Sequence, residues 1–169
     1  MRCVITGAAD GIGRSLAVIF AANGYAITGI DVDGRKADDT RLDLAGYGKK
    51  IDFLIHDLWH VDEVANCAVA LMHGGPIDVL IHNVGISAAG RMTSVSLADQ
   101  LKFIRVNLFA SMLLTAALLR GNKLKLGGSI VFMNSLSDFV GYPGRLSLCG
   151  DQGRDRFLCQ EYSTGTSFR

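Results

Sequence analysis

Short apolar runs alternate along this chain with segments in which apolar residues recur every three or four positions. The first pattern is typical of buried β-strands, and the second predicts amphipathic helices. Five strands are predicted, at residues 2–6, 25–30, 51–55, 77–82 and 129–133. Helices are predicted near residues 12–20, 61–72 and 97–120, with a short helix and a loop within 34–50. The pair Asn23-Gly24 closes the first helix.

The predicted strands are apolar on both faces, as in a parallel sheet that helices cover on each side. Regular strand–helix alternation is typical of the α/β class. We therefore predict a Rossmann-type doubly wound parallel sheet of about five strands in spatial order 3-2-1-4-5, with right-handed crossovers. The 169 residues are expected to form a single domain. Residues 146–169 are expected to be an atypical tail and the sheet to be incomplete at its C-terminal end, because the last residues carry no apolar strand pattern.

Composition narrows the classes of function. Apolar residues make up 49% of the chain and charged residues 20%, as in folded globular proteins. The net charge is +1 and the basic residues are scattered, so we expect no nucleic-acid or membrane partner. The start of the chain leaves no room for a signal peptide, and no apolar run is expected to span a membrane, which predicts a cytoplasmic protein. The four cysteines lack metal-ligand spacing and are expected to be free thiols.

The segment T-G-A-A-D-G-I-G, residues 6–13, joins the first predicted strand to the first helix. Glycine suits such a turn because its backbone can adopt positive φ and can approach a pyrophosphate closely. The free N–H groups of the following helix then point at the phosphates. A tight turn without any ligand would also favour glycine, so the cluster alone does not decide between the two.

Asp31 sharpens the nucleotide-binding hypothesis, since it ends the second predicted strand, 18 residues after Gly13. A carboxylate at this place accepts hydrogen bonds from a ribose 2′-hydroxyl and repels a 2′-phosphate. The pattern therefore predicts NAD rather than NADP. Arg35 nearby favours the opposite choice, and a capping role is the alternative for Asp31.

Polar residues also follow the other predicted strands. Asp57 follows the third strand, His82-Asn83-Val84-Gly85 the fourth, and Asn134-Ser135-Leu136-Ser137 the fifth. In sheets of this class the ligand lies beyond the carboxyl ends of the strands. These residues are therefore expected to share one rim of the sheet.

Each polar candidate also has a purely structural explanation. Asn107 stands inside an apolar helix, where asparagine is unfavourable unless its amide finds partners, so it is either functional or a satisfied buried amide. Ser135 is either functional or a capping hydroxyl. His56 and His82 are expected to be packed or capping residues rather than catalysts.

Taken in order, these residues resemble the classical type of the short-chain dehydrogenase/reductase family over about residues 2–145. The resemblance rests on T-G-x-x-x-G-I-G at 6–13, Asp31, Asp57-Leu58, H-N-V-G at 82–85, Asn107 and Ser135. The family usually has Asn-Asn-Ala-Gly where this chain has His-Asn-Val-Gly. The resemblance implies a nicotinamide cofactor, here NAD, and a secondary alcohol or ketone as the small-molecule substrate.

The resemblance also implies a role for each matching residue. Gly7, Gly11, Ile12 and Gly13 would hold the pyrophosphate, Asp31 the adenosine ribose, and Asp57 and Leu58 the adenine, while Asn83 and Gly85 would lie along the cofactor. Asn107 would hold a proton-relay water, and Ser135 would hydrogen-bond the substrate oxygen. No metal is implied.

One family motif is missing. The family has Tyr-x-x-x-Lys, with the tyrosine thirteen residues after the serine, and this chain has Leu148 and Gln152 at those places. No lysine follows Lys125, so no other register restores the pair. Cys149 or Asp151 would have to carry the proton in a different geometry.

Three explanations stay open for residues beyond about 145: a decayed homologue, a shifted reading frame beginning near Arg145, or a truncated chain. Truncation alone does not explain the changes to leucine and glutamine. The competing functions are an NAD(H)-dependent oxidoreductase that is impaired, a non-enzymatic nucleotide-binding or scaffold protein, and a non-functional remnant. An uncovered fifth strand and the apolar helix at 97–120 further predict a homo-oligomer.

Overall fold

A computed structural model describes residues 1–89, 95–134 and 145–146. Its main sheet has five parallel strands in the spatial order β3-β2-β1-β4-β6. These strands are β1 (Arg2–Thr6), β2 (Ala26–Asp31), β3 (Ile51–Ile55), β4 (Ile77–His82) and β6 (Leu124–Phe132). The predicted order 3-2-1-4-5 is confirmed, because β6 is the fifth strand of this sheet.

Helices cover both faces of the sheet. They are α1 (Gly11–Ala22), α2 (Gly34–Leu44), α3 (Val61–Met72), α4 (Leu97–Ile104) and α5 (Ala110–Arg120). Alternate residues of β1 enter opposite cores: Cys3 and Ile5 pack with α1, whereas Val4 packs with α3 and α5. This two-sided burial is the reason that the strands read as continuous apolar runs.

The boundaries of two strands differ from the sequence prediction. β2 begins and ends one residue later than predicted, at Ala26 and Asp31, whereas β6 begins five residues earlier, at Leu124, and ends one residue earlier, at Phe132. The early part of β6 contains Gly127 at φ +78° and carries no apolar strand pattern. Its pairing with β4 shifts in register between Ile77 and Val79. A short antiparallel pair, β5 (Ala88–Ala89) with β7 (Arg145–Leu146), was not predicted.

The predicted helix at 97–120 is continuous, but residues Arg105–Phe109 form a π-helical turn between α4 and α5. The expectation that no apolar run could span a membrane was wrong by length and composition, because the 24-residue helix Leu97–Arg120 contains an 18-residue window with a mean hydropathy of 1.5. Leu114 and Leu118 are fully packed in the core against α3. The core helix of a soluble protein has the same length and composition.

His82 closes β4 as a packed residue, as the sequence predicted. Its side chain is 5% exposed, its Nε2 lies 2.8 Å from Thr115 Oγ1, and its ring stacks on Phe132 at 4.9 Å between centroids. Burial lowers the pKa of His82 from 6.5 to about 4. The imidazole is therefore neutral and acts as part of the core near neutral pH.

Acid should destabilise the fold through His82. Between pH 6.5 and about 4 the unfolded chain binds this proton and the folded chain does not, so the free energy of unfolding falls as pH drops through that window. The loss should reach up to about 3 kcal/mol. Urea unfolding of the protein and of His82→Asn, followed from about pH 7 to about pH 4.5, should show a flatter pH dependence for the variant.

The matched control is His73→Asn, because His73 is an exposed histidine at the end of α3. That variant should keep the pH dependence of the parent chain. Equal slopes for the parent and His82→Asn would contradict the assignment.

Candidate nucleotide-binding and active site

The loop from β1 to α1 is built on close backbone contact. Gly7 and Gly11 have φ of +66° and +52°, which a side chain would strain. A Cβ on Gly13 would lie 1.8 Å from the carbonyl oxygen of Gly7, closer than any real contact. The first turn of α1 therefore packs directly against the end of β1, and the three glycines are required by geometry.

Asn83 fastens this loop to the end of β4. Its Nδ2 donates to the carbonyl oxygens of Thr6 and Gly7, each at 3.1 Å. In return, the Thr6 hydroxyl oxygen accepts the backbone N–H groups of Asn83 and Val84, each at 3.0 Å. These hydrogen bonds hold the glycine loop against the end of β4. The predicted place of Asn83 along a cofactor stays a prediction.

The start of α1 fits a pyrophosphate. The Asp10 carboxylate caps the helix by accepting the Gly11 N–H at 2.7 Å. Among the described residues, the backbone N–H groups of Ile12 and Gly13 have no protein acceptor, as expected for a first helical turn. Ile12 is 64% exposed. Free N–H groups beside a loop that contains glycines form the kind of cradle that binds phosphate oxygens.

Asp31 lies half-buried beside the glycine loop, at the carboxyl end of β2. Its Oδ2 accepts the Ala9 N–H at 2.9 Å, and its Oδ1 accepts the N–H groups of Val32 at 2.9 Å and Asp33 at 3.2 Å. The carboxylate is therefore a capping group, as the structural alternative predicted, and its contact with a ribose stays a prediction. A carboxylate has about four acceptor positions, so one remains for a hydroxyl group.

The predicted adenine residues follow β3. Asp57 Oδ1 accepts the Trp59 N–H at 3.0 Å, which fixes the turn into α3. Leu58 is 7% exposed and belongs to the core under α3. The structure thus gives both residues a folding role, and their contact with an adenine ring stays a prediction.

Asn107 lies in the π-helical turn and clamps the chain after β4. Its Oδ1 accepts the Ile86 N–H at 2.8 Å and its Nδ2 donates to the Ile86 carbonyl oxygen at 2.9 Å. Gly85 is adjacent, since a Cβ there would lie 3.5 Å from Asn107 Oδ1. Asn107 is half-buried, and these two bonds leave one donor and one acceptor position of its amide. Its role in holding a relay water stays a prediction.

Several predicted positions fall outside the described residues. They are Ser135, Leu148, Cys149, Asp151 and Gln152. Their roles stay predictions from sequence. The described part of the candidate site therefore comprises the glycine loop, Asp31, the residues that follow β3 and β4, and Asn107.

Sequence reasoning missed two buried threonines that shape the loop. The Thr6 hydroxyl binds the β4 exit, and Thr40 Oγ1 donates to the Ala9 carbonyl oxygen at 3.0 Å from α2. Both side chains are fully buried. Thr6 was quoted in the glycine segment without a role, and Thr40 gives no local signal because its partner is 31 residues away.

A cavity of about 420 Å³ opens at the opposite, amino-terminal edge of the sheet. Its charged groups already have partners: Asp78 accepts Lys125 Nζ and the Arg2 N–H, each at 2.8 Å, and Asp52 pairs with Lys50 at 2.8 Å. Because ligands of such sheets bind at the carboxyl edge, we do not assign this cavity to the site.

The model of the short chain dehydrogenase family matches residues 2–147. The chain belongs to this family. The family binds nicotinamide cofactors.

Three relatives illustrate the similarity. The 3-oxoacyl-[acyl-carrier-protein] reductase of Thermotoga maritima is 28% identical over 144 residues, which are 85% of this chain and 58% of that protein. The crystal structure of a ketone-specific alcohol dehydrogenase from Comamonas testosteroni superposes with a TM-score of 0.75 at 26% identity. The match covers 85% of this chain and 58% of that chain. A short-chain dehydrogenase from Sphingobium yanoikuyae, solved with NADPH, has a TM-score of 0.75 at 26% identity, with coverages of 85% and 57%. This short-chain dehydrogenase therefore spans less than two thirds of the length of these relatives.

The close approach of Gly13 to Gly7 predicts an intolerant position. Gly13→Ala should lower the free energy of unfolding by about 3 kcal/mol or more, since the new methyl group meets backbone rather than a movable side chain. The matched control is Gly46→Ala, where no heavy atom lies within 4 Å of the new methyl group. The control should change stability by less than about 0.5 kcal/mol.

Chemical denaturation of the three proteins gives both values. A Gly13→Ala protein as stable as the parent would show that the loop does not pack as described.

Proposed function

We propose that this short-chain dehydrogenase binds NAD(H) in preference to NADP(H), and that it is an oxidoreductase for a secondary alcohol or ketone whose turnover is weak as the chain stands. The observation that carries the cofactor proposal is the Asp31 carboxylate, held by three backbone N–H groups beside the glycine loop. A fixed carboxylate can accept a ribose hydroxyl and cannot move away from a 2′-phosphate.

The comparisons leave the choice of cofactor open. The Sphingobium relative was solved with NADPH, so the family fold accepts the phosphorylated cofactor in that protein. In this chain the end of β2 carries the negative charge of Asp31. Like charges at such short range disfavour binding, which supports NAD(H).

Titration of the purified protein with NADH and NADPH tests this proposal. NADH should bind about tenfold or more tightly, a difference of about 1.4 kcal/mol. Asp31→Ser should reduce the preference, because it removes the repulsive charge. The control Asp52→Asn removes an equal charge at the opposite edge of the sheet and should leave the preference unchanged. Equal or tighter NADPH binding by the parent chain would overturn the proposal.

Weak turnover is proposed because the proton donor of the family is absent. A bound nicotinamide supplies the hydride. Asn107 and, by resemblance, Ser135 can still orient a water and the substrate oxygen. Leu148 and Gln152 offer no hydroxyl or ammonium group to protonate the forming alkoxide. General acid–base catalysis of this kind contributes roughly 10²- to 10⁴-fold.

Restoring both residues should help more than restoring either one. A tyrosine whose pKa is not lowered by a cation is a poor base, and a lysine without the tyrosine has no proton to tune, so Leu148→Tyr and Gln152→Lys should act as a unit. NADH oxidation with a panel of ketones, for the chain and the three variants, measures this. Robust turnover by the unmodified chain would show that another group, such as Asp151 or Cys149, carries the proton.

A non-enzymatic nucleotide-binding protein is the second candidate function. Leu148 and Gln152 favour it, because they replace the residues that would transfer the proton, whereas the glycine loop and Asp31 are present. The two candidates separate in one experiment: if NADH binds and the double variant remains inactive with all ketones, binding without catalysis is the better description.

We also propose that the chain forms homo-oligomers in the cytoplasm. Large apolar side chains are exposed along α4, the π-helical turn and α5: Leu97, Leu101, Phe109, Met112, Leu113 and Leu119. β6 is the edge of the five-stranded sheet, and its Leu126 is 93% exposed. Such surfaces are seldom left in water. The two described cysteines are free and buried, which fits a reducing compartment.

Sedimentation velocity over a range of concentrations should show a dimer or a larger species. Leu113→Glu should weaken association, because a carboxylate on the apolar face must be desolvated to form the interface. Leu42→Glu is the matched control, since Leu42 is exposed on α2, away from this face. A monomer at every concentration would contradict the proposal.

A further inference from the structure

The turn after β3 places an aromatic ring beside a carboxylate. Asp57 Oδ1 accepts the Trp59 N–H at 3.0 Å, and the Asp57 carbonyl oxygen accepts the His60 N–H at 3.1 Å. Because these bonds join near neighbours in the sequence, the indole and the carboxylate belong to one tight turn. A change in the position of Trp59 therefore reaches the Asp57 carboxylate through a single hydrogen bond.

Arg105 contacts the Trp59 ring from α4 and the π-helical turn. Its guanidinium carbon lies 4.8 Å from the centroid of the indole, within the range of an attractive cation–π contact, for which tryptophan is the best partner. Both residues are half-buried. In the described parts of the chain the Arg105 guanidinium has no other partner, so the indole is the group that fixes its position.

Arg105 belongs to the element that carries Asn107. It begins the π-helical turn Arg105–Phe109, and the Asn107 amide in that turn binds both backbone groups of Ile86, after β4. The π-helical turn thus holds the chain that leaves β4 through one side chain and the chain that leaves β3 through another. The contact between Arg105 and Trp59 therefore joins two strand exits at the carboxyl edge of the sheet.

The exit of β3 also lies next to the carboxylate that is proposed to hold the ribose. The His56 N–H donates to the carbonyl oxygen of Asp31 at 3.0 Å, so a ribose held by Asp31 would direct its base toward Asp57. Asp57 Oδ2 has no partner among the described residues. Because an ionised carboxylate only accepts hydrogen bonds, this oxygen favours a base that carries an amino group over one that carries an oxygen.

We propose that Arg105 is a positioning residue for the adenine end of the cofactor. By holding Trp59, it fixes the direction in which Asp57 Oδ2 meets the adenine amino group. The inference rests on the proposed function, namely that the chain binds a nicotinamide dinucleotide. Arg105 acts through Trp59, whose N–H holds the other oxygen of the Asp57 carboxylate.

Two dinucleotides separate this role from a general effect on the fold. NADH and reduced nicotinamide hypoxanthine dinucleotide differ only in the base, where the second has an oxygen in place of the adenine amino group. The parent chain should bind NADH about tenfold more tightly, because the Asp57 carboxylate accepts from the amino group and repels the oxygen. Arg105→Met keeps a long side chain without its charge and should reduce this preference to about threefold or less, through weaker NADH binding.

A conservative variant and a spectroscopic signal test the contact itself. Arg105→Lys should retain most of the preference, because an ammonium group can also lie over an indole. The chain has one tryptophan, so its fluorescence reports on this ring directly. Emission from folded Arg105→Met should move to longer wavelength, since water replaces the guanidinium over the ring.

Trp59→Leu is a second variant that breaks the same contact from the other side. It should lower the preference for NADH as Arg105→Met does. Adding Arg105→Met to Trp59→Leu should change the preference by less than about twofold, because the two substitutions remove one interaction. Fully additive losses would show that the two residues act separately and would overturn the inference.

Arg41→Met is the matched control. The Arg41 guanidinium lies over the Phe53 ring at 5.8 Å, and Phe53 packs on the face of the sheet that α1 covers, whereas Leu58 packs on the other face. This variant should leave the preference for NADH and the emission of Trp59 unchanged. An equal fall in Arg41→Met, or an unchanged preference in Arg105→Met, would overturn the inference.

Circular dichroism establishes that each variant is folded. If the folded parent chain binds neither dinucleotide, the proposed function fails and this inference fails with it. If the parent chain binds both dinucleotides with equal affinity, the proposed function stands and this inference alone is overturned.

Discussion

The contact between the first turn of α1 and the end of β1 leaves no room for a side chain at Gly13, and the cofactor rim depends on it. A Cβ there would meet the Gly7 carbonyl oxygen at 1.8 Å. Because α1 starts this close to the sheet, its first N–H groups lie at the carboxyl ends of the strands, where phosphate oxygens could reach them. Asn83 ties the same loop to β4 through the Thr6 and Gly7 carbonyl oxygens, so hydrogen bonds join the ends of the two strands.

Charge at this rim is arranged around carboxylates that the backbone holds in place. Asp31 accepts three backbone N–H groups, and Asp10 divides its oxygens between the helix start and Lys36. Hydrogen bonds from Lys36 and Gly11 lower the pKa of Asp10, so its charge persists at neutral pH. The N–H groups at the start of α1 and the carboxylates of Asp10 and Asp31 therefore lie close together at this edge of the sheet.

Binding and chemistry are separated along the chain. The described residues include the glycine loop, the Asp31 carboxylate and Asn107, whose amide holds Ile86. The positions expected to handle the proton, Leu148 and Gln152, carry neither a hydroxyl nor an ammonium group. An intact nucleotide rim with an altered proton donor is consistent with a protein that retains affinity and loses rate, since cofactor binding and proton transfer depend on different groups.

The sequence by itself determined the sheet order, the glycine loop, the place of Asp31 and the burial of His82, because these follow from local patterns: strand–helix alternation, glycine at a turn, and apolar neighbours. Only the tertiary structure decided that Asn83 and Thr6 lock the loop, that Thr40 supports Ala9, and that Asp10 holds Lys36. Residues 26 to 77 positions apart make these contacts, so no local pattern encodes them. The early start of β6 at Leu124 was missed for the same reason: its pairing with β4 at Ile77, not its own composition, makes it a strand.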